Sequence, residues 1–142
     1  MVAFATFDYY SYCSDLFLDT INKLTYKNKE FLAVDNSDTF EYGTYLQGKG
    51  MRVFRQTVNR TAMSAKDIIL EARKIIRKEF LKSDAEYLLS LDCDVIPPKN
   101  IIESLMKHNK DIVSGNYLFS PGENYIMPML YVFEDDKEHL RL

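Results

Sequence analysis

Two aspartates, Asp92 and Asp94, flank Cys93 and close an otherwise apolar stretch, Tyr87-Leu-Leu-Ser-Leu91. If that stretch continues as extended chain, alternation puts both carboxylates on one side and Cys93 on the other. Carboxylates so spaced can share a hard divalent ion, Mg²⁺ or Mn²⁺, which keeps positions open for phosphate oxygens. Strand-ending aspartates also serve as turn and cap residues, and a lone D-x-D does not separate the two uses. Two more aspartates end apolar runs: Asp8 follows Val2-Ala-Phe-Ala-Thr-Phe7, and Asp35 follows Glu30-Phe-Leu-Ala-Val34.

The elements that carry these residues are legible in the apolar period, which switches several times along the chain. Strands are expected over 2–7, 30–34, 51–55, 86–91 and 111–119. A helix over 14–24 has Leu16, Phe17, Ile21 and Leu24 at helical spacing, with Ser11 or Ser14 as N-cap. A short helix is expected over 39–47, with Gly48-Lys-Gly50 as a turn after it. The clearest helix has Ile68, Ile69, Ala72, Ile75, Ile76 and Phe80 on one face, with Arg73, Lys74, Arg77 and Lys78 on wet faces. Pro97-Pro98 opens a last helix, with Ile101, Ile102, Leu105 and Met106 inward. Strands alternating with helices make an α/β fold, a mostly parallel sheet with crossover helices. Such sheets bind ligands beyond the carboxyl ends of their strands, where Asp8, Asp35, Asp92 and Asp94 all stand.

Composition narrows the function. The 142 residues suit one domain. Eighteen Lys+Arg against 21 Asp+Glu leave a net charge of −3, which argues against a protein that grips nucleic acid through its phosphates. No apolar run is long enough for a transmembrane segment, and no basic-then-apolar leader opens the chain. Two cysteines without metal spacing fit a reduced, cytoplasmic protein, with peripheral association at a membrane left open. Cys93 between two carboxylates is a poor nucleophile, because negative neighbours raise a thiol's pKa. His108 and His139 have no ligand spacing.

The segment YLLSLDCDVIPP, residues 87–98, closely resembles the DxD segment of GT-A glycosyltransferases. Val34-Asp-Asn-Ser37 resembles the second-strand ending of the family-2 type. Ser64-Ala-Lys-Asp-Ile-Ile-Leu-Glu-Ala72 is similar to the start of their "ARN" helix, and Asp111-Ile-Val-Ser-Gly-Asn-Tyr117 to the strand after the DxD helix. The likeness spans roughly residues 2–119. It implies that Thr6 and Asp8 line a nucleotide pocket, that Asp35 bonds the base with Asn36 beside it, and that Asp92 touches sugar or ribose. Asp94 would hold Mn²⁺ or Mg²⁺ on the diphosphate. Lys66 stands where the family has Arg and Asp67 where it often has Asn; Arg60 is a second candidate for the diphosphate-side cation.

The activity implied is glycosyl transfer from a nucleotide-sugar to an acceptor hydroxyl. The acceptor, whether glycan, lipid or protein, is not specified. The family's catalytic base lies well downstream of the DxD in an acceptor-binding half, for which this chain leaves little or no room. Glu134 and Asp135 are the candidates in its place, an acidic tail or loop being the plainer account. The rivals are a nucleotidyltransferase, whose Gly-rich loop after the first strand is missing, and a non-catalytic nucleotide-binding α/β module. A receiver-type phosphoacceptor site would need a single Asp after the third strand, where Arg55-Gln56 stands. Tyr9, Tyr10 and Tyr12 could stack on a donor or simply pack under the first helix.

Overall fold

Short runs of apolar, strand-forming residues build four strands: β1 (Val2–Thr6), β2 (Phe31–Asp35), β3 (Arg52–Arg55) and β4 (Leu89–Asp92). The computed structural model describes residues 1–116 in full and, beyond them, the backbone of four short strands. Strands β1 to β4 form one parallel sheet in the order β3-β2-β1-β4. Parallel pairing brings all four carboxyl ends to one edge. Thr6 lies opposite Asp35, Asp35 opposite Arg55, and Ala5 opposite Asp92. The expected α/β sheet with crossover helices is therefore present.

Helix α1 (Ser11–Asn22) follows β1 after a 3-10 turn at Asp8–Tyr10, α2 (Glu41–Gly48) follows β2, and α3 (Ala65–Leu81) joins β3 to β4. Phe17, Leu18 and Ile21 of α1 and Tyr42 and Leu46 of α2 pack with Val2, Phe4, Ala33 and Leu91 on one face of the sheet. Ala72 and Ile76 of α3 pack with Ala3, Leu32 and Val34 on the other. The chain thus steps from β1 outward through β2 and β3, then crosses behind the sheet to β4 on the opposite side of β1. Strand order reverses between β1 and β4, which makes their carboxyl ends the topological switch point.

Several local expectations change. Helix α1 begins at Ser11, three residues early, and neither serine caps it; its N-cap is Tyr10, without a side-chain cap bond. Ser14 instead lies inside the helix and donates to the Tyr10 carbonyl at 2.8 Å. Helix α3 carries a full capping box, Ser64 and Asp67 bonding each other's backbone N–H. Ile69 is 53% exposed, off the buried stripe of Ile68, Ala72 and Ile76. Gly50 has a φ of 87°, as a left-handed turn after α2 requires.

The chain divides into two compact units, Met1–Ile102 and Glu103–Leu142. Helix α4 (Ile101–Met106) spans their boundary, and Ile101 and Ile102 pack against the α1 side of the first unit's core. No strand forms over 111–116, contrary to the reading of 111–119. Only Ile112 and Val113 in that stretch are apolar, Ile112 is 91% exposed, and Ser114-Gly115-Asn116 favours irregular backbone. The second unit contains two antiparallel pairs: β5 (Leu118–Gly122) with β6 (Tyr125–Pro128), and β7 (Val132–Glu134) with β8 (Lys137–His139). Among the described residues no helix is long and apolar enough to cross a membrane.

Candidate functional site

Strand β4 ends at Asp92, and a turn follows in which the Val95 N–H bonds the Asp92 carbonyl at 3.2 Å. Asp92 and Asp94 are exposed while Leu91 and Cys93 are buried. Exposure alternates over 91–94, with a turn from Cys93 onward in place of the continued strand the sequence suggests. Burial pushes the Cys93 thiol up to about 11, and the Asp94 carboxylate adds to the shift. Cys93 is therefore a packed thiol at neutral pH.

A sign follows for stability and reactivity. Between about pH 9 and 11 the unfolded chain loses the Cys93 proton while the folded chain keeps it, so this group's contribution to stability falls as pH rises through that window. Native alkylation with iodoacetamide at pH 8 should modify half-buried Cys13 first. Cys93 should react at a rate that still climbs toward pH 11. Equal labelling of both thiols at pH 8, read by mass spectrometry, would contradict this.

Beyond β1, Phe7 and Asp8 lead into an aromatic cluster. Phe7 stacks on Tyr9 at 5.7 Å between ring centroids, and Tyr10 meets Phe7 edge-on at 5.3 Å. Tyr9 and Tyr12 are 71% and 73% exposed, too open to be packing under α1. Desolvation raises the phenols of Tyr10 and Tyr12, and in both Asp94 contributes to the rise, which puts that carboxylate within electrostatic reach of the cluster. Phe7 and Tyr10 are the partly buried members, and Tyr10 packs against the α1 side of the core.

Thr6 and Asp35 face each other at the ends of β1 and β2, both buried. Thr6 is buried, its hydroxyl 3.2 Å from the Tyr42 hydroxyl, which sits 2.6 Å from Ser14 Oγ. Because the Ser14 hydrogen goes to the Tyr10 carbonyl, Tyr42 donates to Ser14, and Thr6 in turn donates to Tyr42. Asp35 is fully buried. Its Oδ1 accepts from the Ser37 N–H at 2.9 Å and the Ser37 hydroxyl at 2.5 Å, and its Oδ2 from Arg55 Nη1 at 3.4 Å. A Cβ on Gly43 of α2 would sit 2.9 Å from that Oδ2, so only glycine fits there.

Asn36 begins the rim proper. Its N–H continues the ladder to the Thr6 carbonyl at 2.9 Å, and its side-chain oxygen is buried without a hydrogen-bond partner. The Asp8 N–H donates to Ser37 Oγ at 2.9 Å, tying the ends of β1 and β2 together. Arg60 spans the same place. Its Nη2 donates to the Asn36 carbonyl at 2.6 Å, its Nε to Asp38 at 3.2 Å, and its guanidinium lies 4.9 Å from the centre of the Phe7 ring. Lys66 is exposed in the first turn of α3, and Asp67 is committed to the capping box, where its bonds from Ser64 lower its pKa.

The cation at the D-x-D is Arg73. From the middle of α3 its Nη1 donates to Ser90 Oγ and its Nη2 to Asp92 Oδ1. It is not a wet-face charge, unlike Lys74, which pairs with Glu71 on the exposed surface. The sequence holds the signal in Arg73's position seven residues after Lys66, on the same helix face two turns on.

No known protein family, curated protein or solved structure matches the chain. The site is therefore read from its own chemistry. Among the described residues no three His, Cys, Asp or Glu side chains gather as a metal cage. Two exposed carboxylates fit the other way of holding Mg²⁺ or Mn²⁺, in which one or two carboxylates combine with waters and the ligand's phosphate oxygens. His108 is exposed after α4. Glu134 closes β7, its side chain and all of Asp135 lying outside the described residues.

Proposed function

We propose that the chain binds a nucleotide-sugar at the carboxyl ends of β1 and β4 and transfers the sugar to an acceptor hydroxyl. The observation that carries this reading is the switch point between β1 and β4, furnished with Asp8, Asp92, Asp94 and an aromatic surface. Asp94 and Asp92 would hold Mn²⁺ or Mg²⁺, which would supply positive charge against the departing diphosphate. In the transfer an acceptor oxygen bonds to the anomeric carbon as the bond to the nucleoside diphosphate breaks. The hydroxyl proton passes to a base.

Asp35 departs from the role the resemblance gives it. Its carboxylate is committed to Ser37 and Arg55, so contact with the base falls to Asn36, whose side-chain oxygen has no donor. The Phe7 and Arg60 pair beside it offers a flat, cationic shelf for a base. The alternative, a nucleotide-binding module without turnover, is favoured by one feature: Asp92 is already paired with Arg73.

Calorimetry with UDP and GDP, with and without Mn²⁺, tests the reading. Wild type should bind one of them more tightly with metal, and Asp94→Ala should remove that gain, weakening metal-dependent binding by about tenfold or more. Absence of binding under every condition would overturn it. Metal-dependent binding without hydrolysis of, or transfer from, any nucleotide-sugar would select the binding module.

A further inference from the structure

We infer that Arg73 is a positioning residue that withholds Asp92 from a metal ion until a diphosphate arrives, so that metal and nucleotide bind as a coupled pair. This deepens the nucleotide-sugar reading and rests on it. The guanidinium is forked across Ser90 Oγ and Asp92 Oδ1. Ser90 and Asp92 are alternate residues of one strand, so both side chains stand on the same side of β4 and hold the two arms of the fork together. Arg73 comes from the third turn of a seventeen-residue helix whose buried stripe, Ala72 and Ile76, is packed on the sheet. The helix is thereby anchored on β1 and β2, and Arg73 reaches β4 with its side chain.

The pairing has a consequence for charge. While Arg73 holds it, Asp92 is neutralised, and Asp94 is left as the open carboxylate of the pair. One carboxylate in water is a poor site for Mg²⁺ or Mn²⁺, which need phosphate oxygens or further carboxylates. A diphosphate presents several anionic oxygens to which a guanidinium makes strong forked bonds, and it competes with Asp92 for Arg73. Once Arg73 turns to the diphosphate, Asp92 is free, and the phosphate oxygens stand beside both aspartates. Each ligand then removes a cost the other would face alone. By linkage the coupling is reciprocal.

Deleting the guanidinium should therefore move the two ligands in opposite directions. For Arg73→Ala, Mn²⁺ alone should bind about five- to tenfold more tightly, read from the free-ion electron paramagnetic resonance signal. UDP or GDP without metal, whichever the wild type binds, should bind about tenfold more weakly by calorimetry, and the factor by which each ligand tightens the other should fall. Ser90→Ala, which loosens one arm only, should raise Mn²⁺ affinity by less. Arg73→Lys keeps the charge without the fork and should lie between wild type and Arg73→Ala for both ligands. A structural role alone would weaken both ligands together, and that result would overturn the inference; so would unchanged Mn²⁺ affinity in Arg73→Ala, or no Mn²⁺ binding in any variant. If the wild type binds no nucleotide, the nucleotide-sugar reading fails by itself. The metal titration then still decides whether Arg73 restrains Asp92, with unchanged far-UV circular dichroism as the check on folding.

Discussion

Replacing Asp35 with alanine should lower the unfolding free energy by about 3 kcal/mol, the lower end of the range for breaking a buried pair. Three donors converge on this carboxylate, and the two from buried Ser37 have no water as an easy substitute. The Ser37 N–H and hydroxyl reach Oδ1, and Arg55 reaches Oδ2 while also donating to the carbonyls of Ser37 and Thr39 and lying over the Phe40 ring at 4.2 Å. Arg55 keeps about a quarter of its side chain in water, which holds the cost at the lower end. Urea unfolding should show an earlier midpoint with an unchanged slope. Arg55→Met in the Asp35→Ala background should cost less than Arg55→Met in wild type, because the partner is already gone. A loss of nucleotide affinity in Asp35→Ala with stability intact would instead return Asp35 to the base-contact role that its position at a strand end suggests.

Asp35 also marks where sequence reading loses information. Apolar period is enough to find four parallel strands and their crossover helices, and the strand-end aspartates mark one edge of the sheet. Neither tells Asp35, sealed under Ser37, from Asp92 and Asp94, which face water, because the three look alike at the end of an apolar run. What separates them is tertiary: β2 is covered by α2, whose Gly43 lets the helix come down onto the carboxylate, whereas β4 ends in an exposed turn. The placement of Arg73 escapes the sequence for the same reason. Helical period assigns it to a face but does not say that β4 presents Ser90 and Asp92 to that face. Over 111–119, the apolar residues Ile112, Val113, Leu118 and Phe119 suggested one strand. The polar insert Ser114-Gly115-Asn116 outweighs them over 111–116, and Leu118 and Phe119 belong to β5.

Leu16 and Phe17 make the second large prediction, since helical spacing marks both as core and only one is. Phe17 is 1% exposed and meets Phe4 of β1 edge-on at 4.9 Å, inside the cluster that joins α1, α2 and the sheet. Leu16, one residue earlier and 100° around the helix, is 60% exposed. Phe17→Ala should cost about 3–5 kcal/mol, combining lost burial with a cavity that the parallel sheet behind it cannot close. Leu16→Ala should fall within about 0.5 kcal/mol of wild type. Against a domain stability of roughly 5–15 kcal/mol, the first change alone removes a third or so of the stability at the upper end and nearly all of it at the lower end. Chemical denaturation of the two single variants checks this directly. Because α1 begins immediately after the Asp8–Tyr10 turn, loosening Phe17 should also disturb the aromatic cluster, with reduced near-UV circular dichroism from Tyr9, Tyr10 and Tyr12 in Phe17→Ala but not in Leu16→Ala. Comparable costs at both positions would mean that the exposed face of α1 is buried against something else in solution, and the assignment of Phe17 as the anchor of α1 would fail.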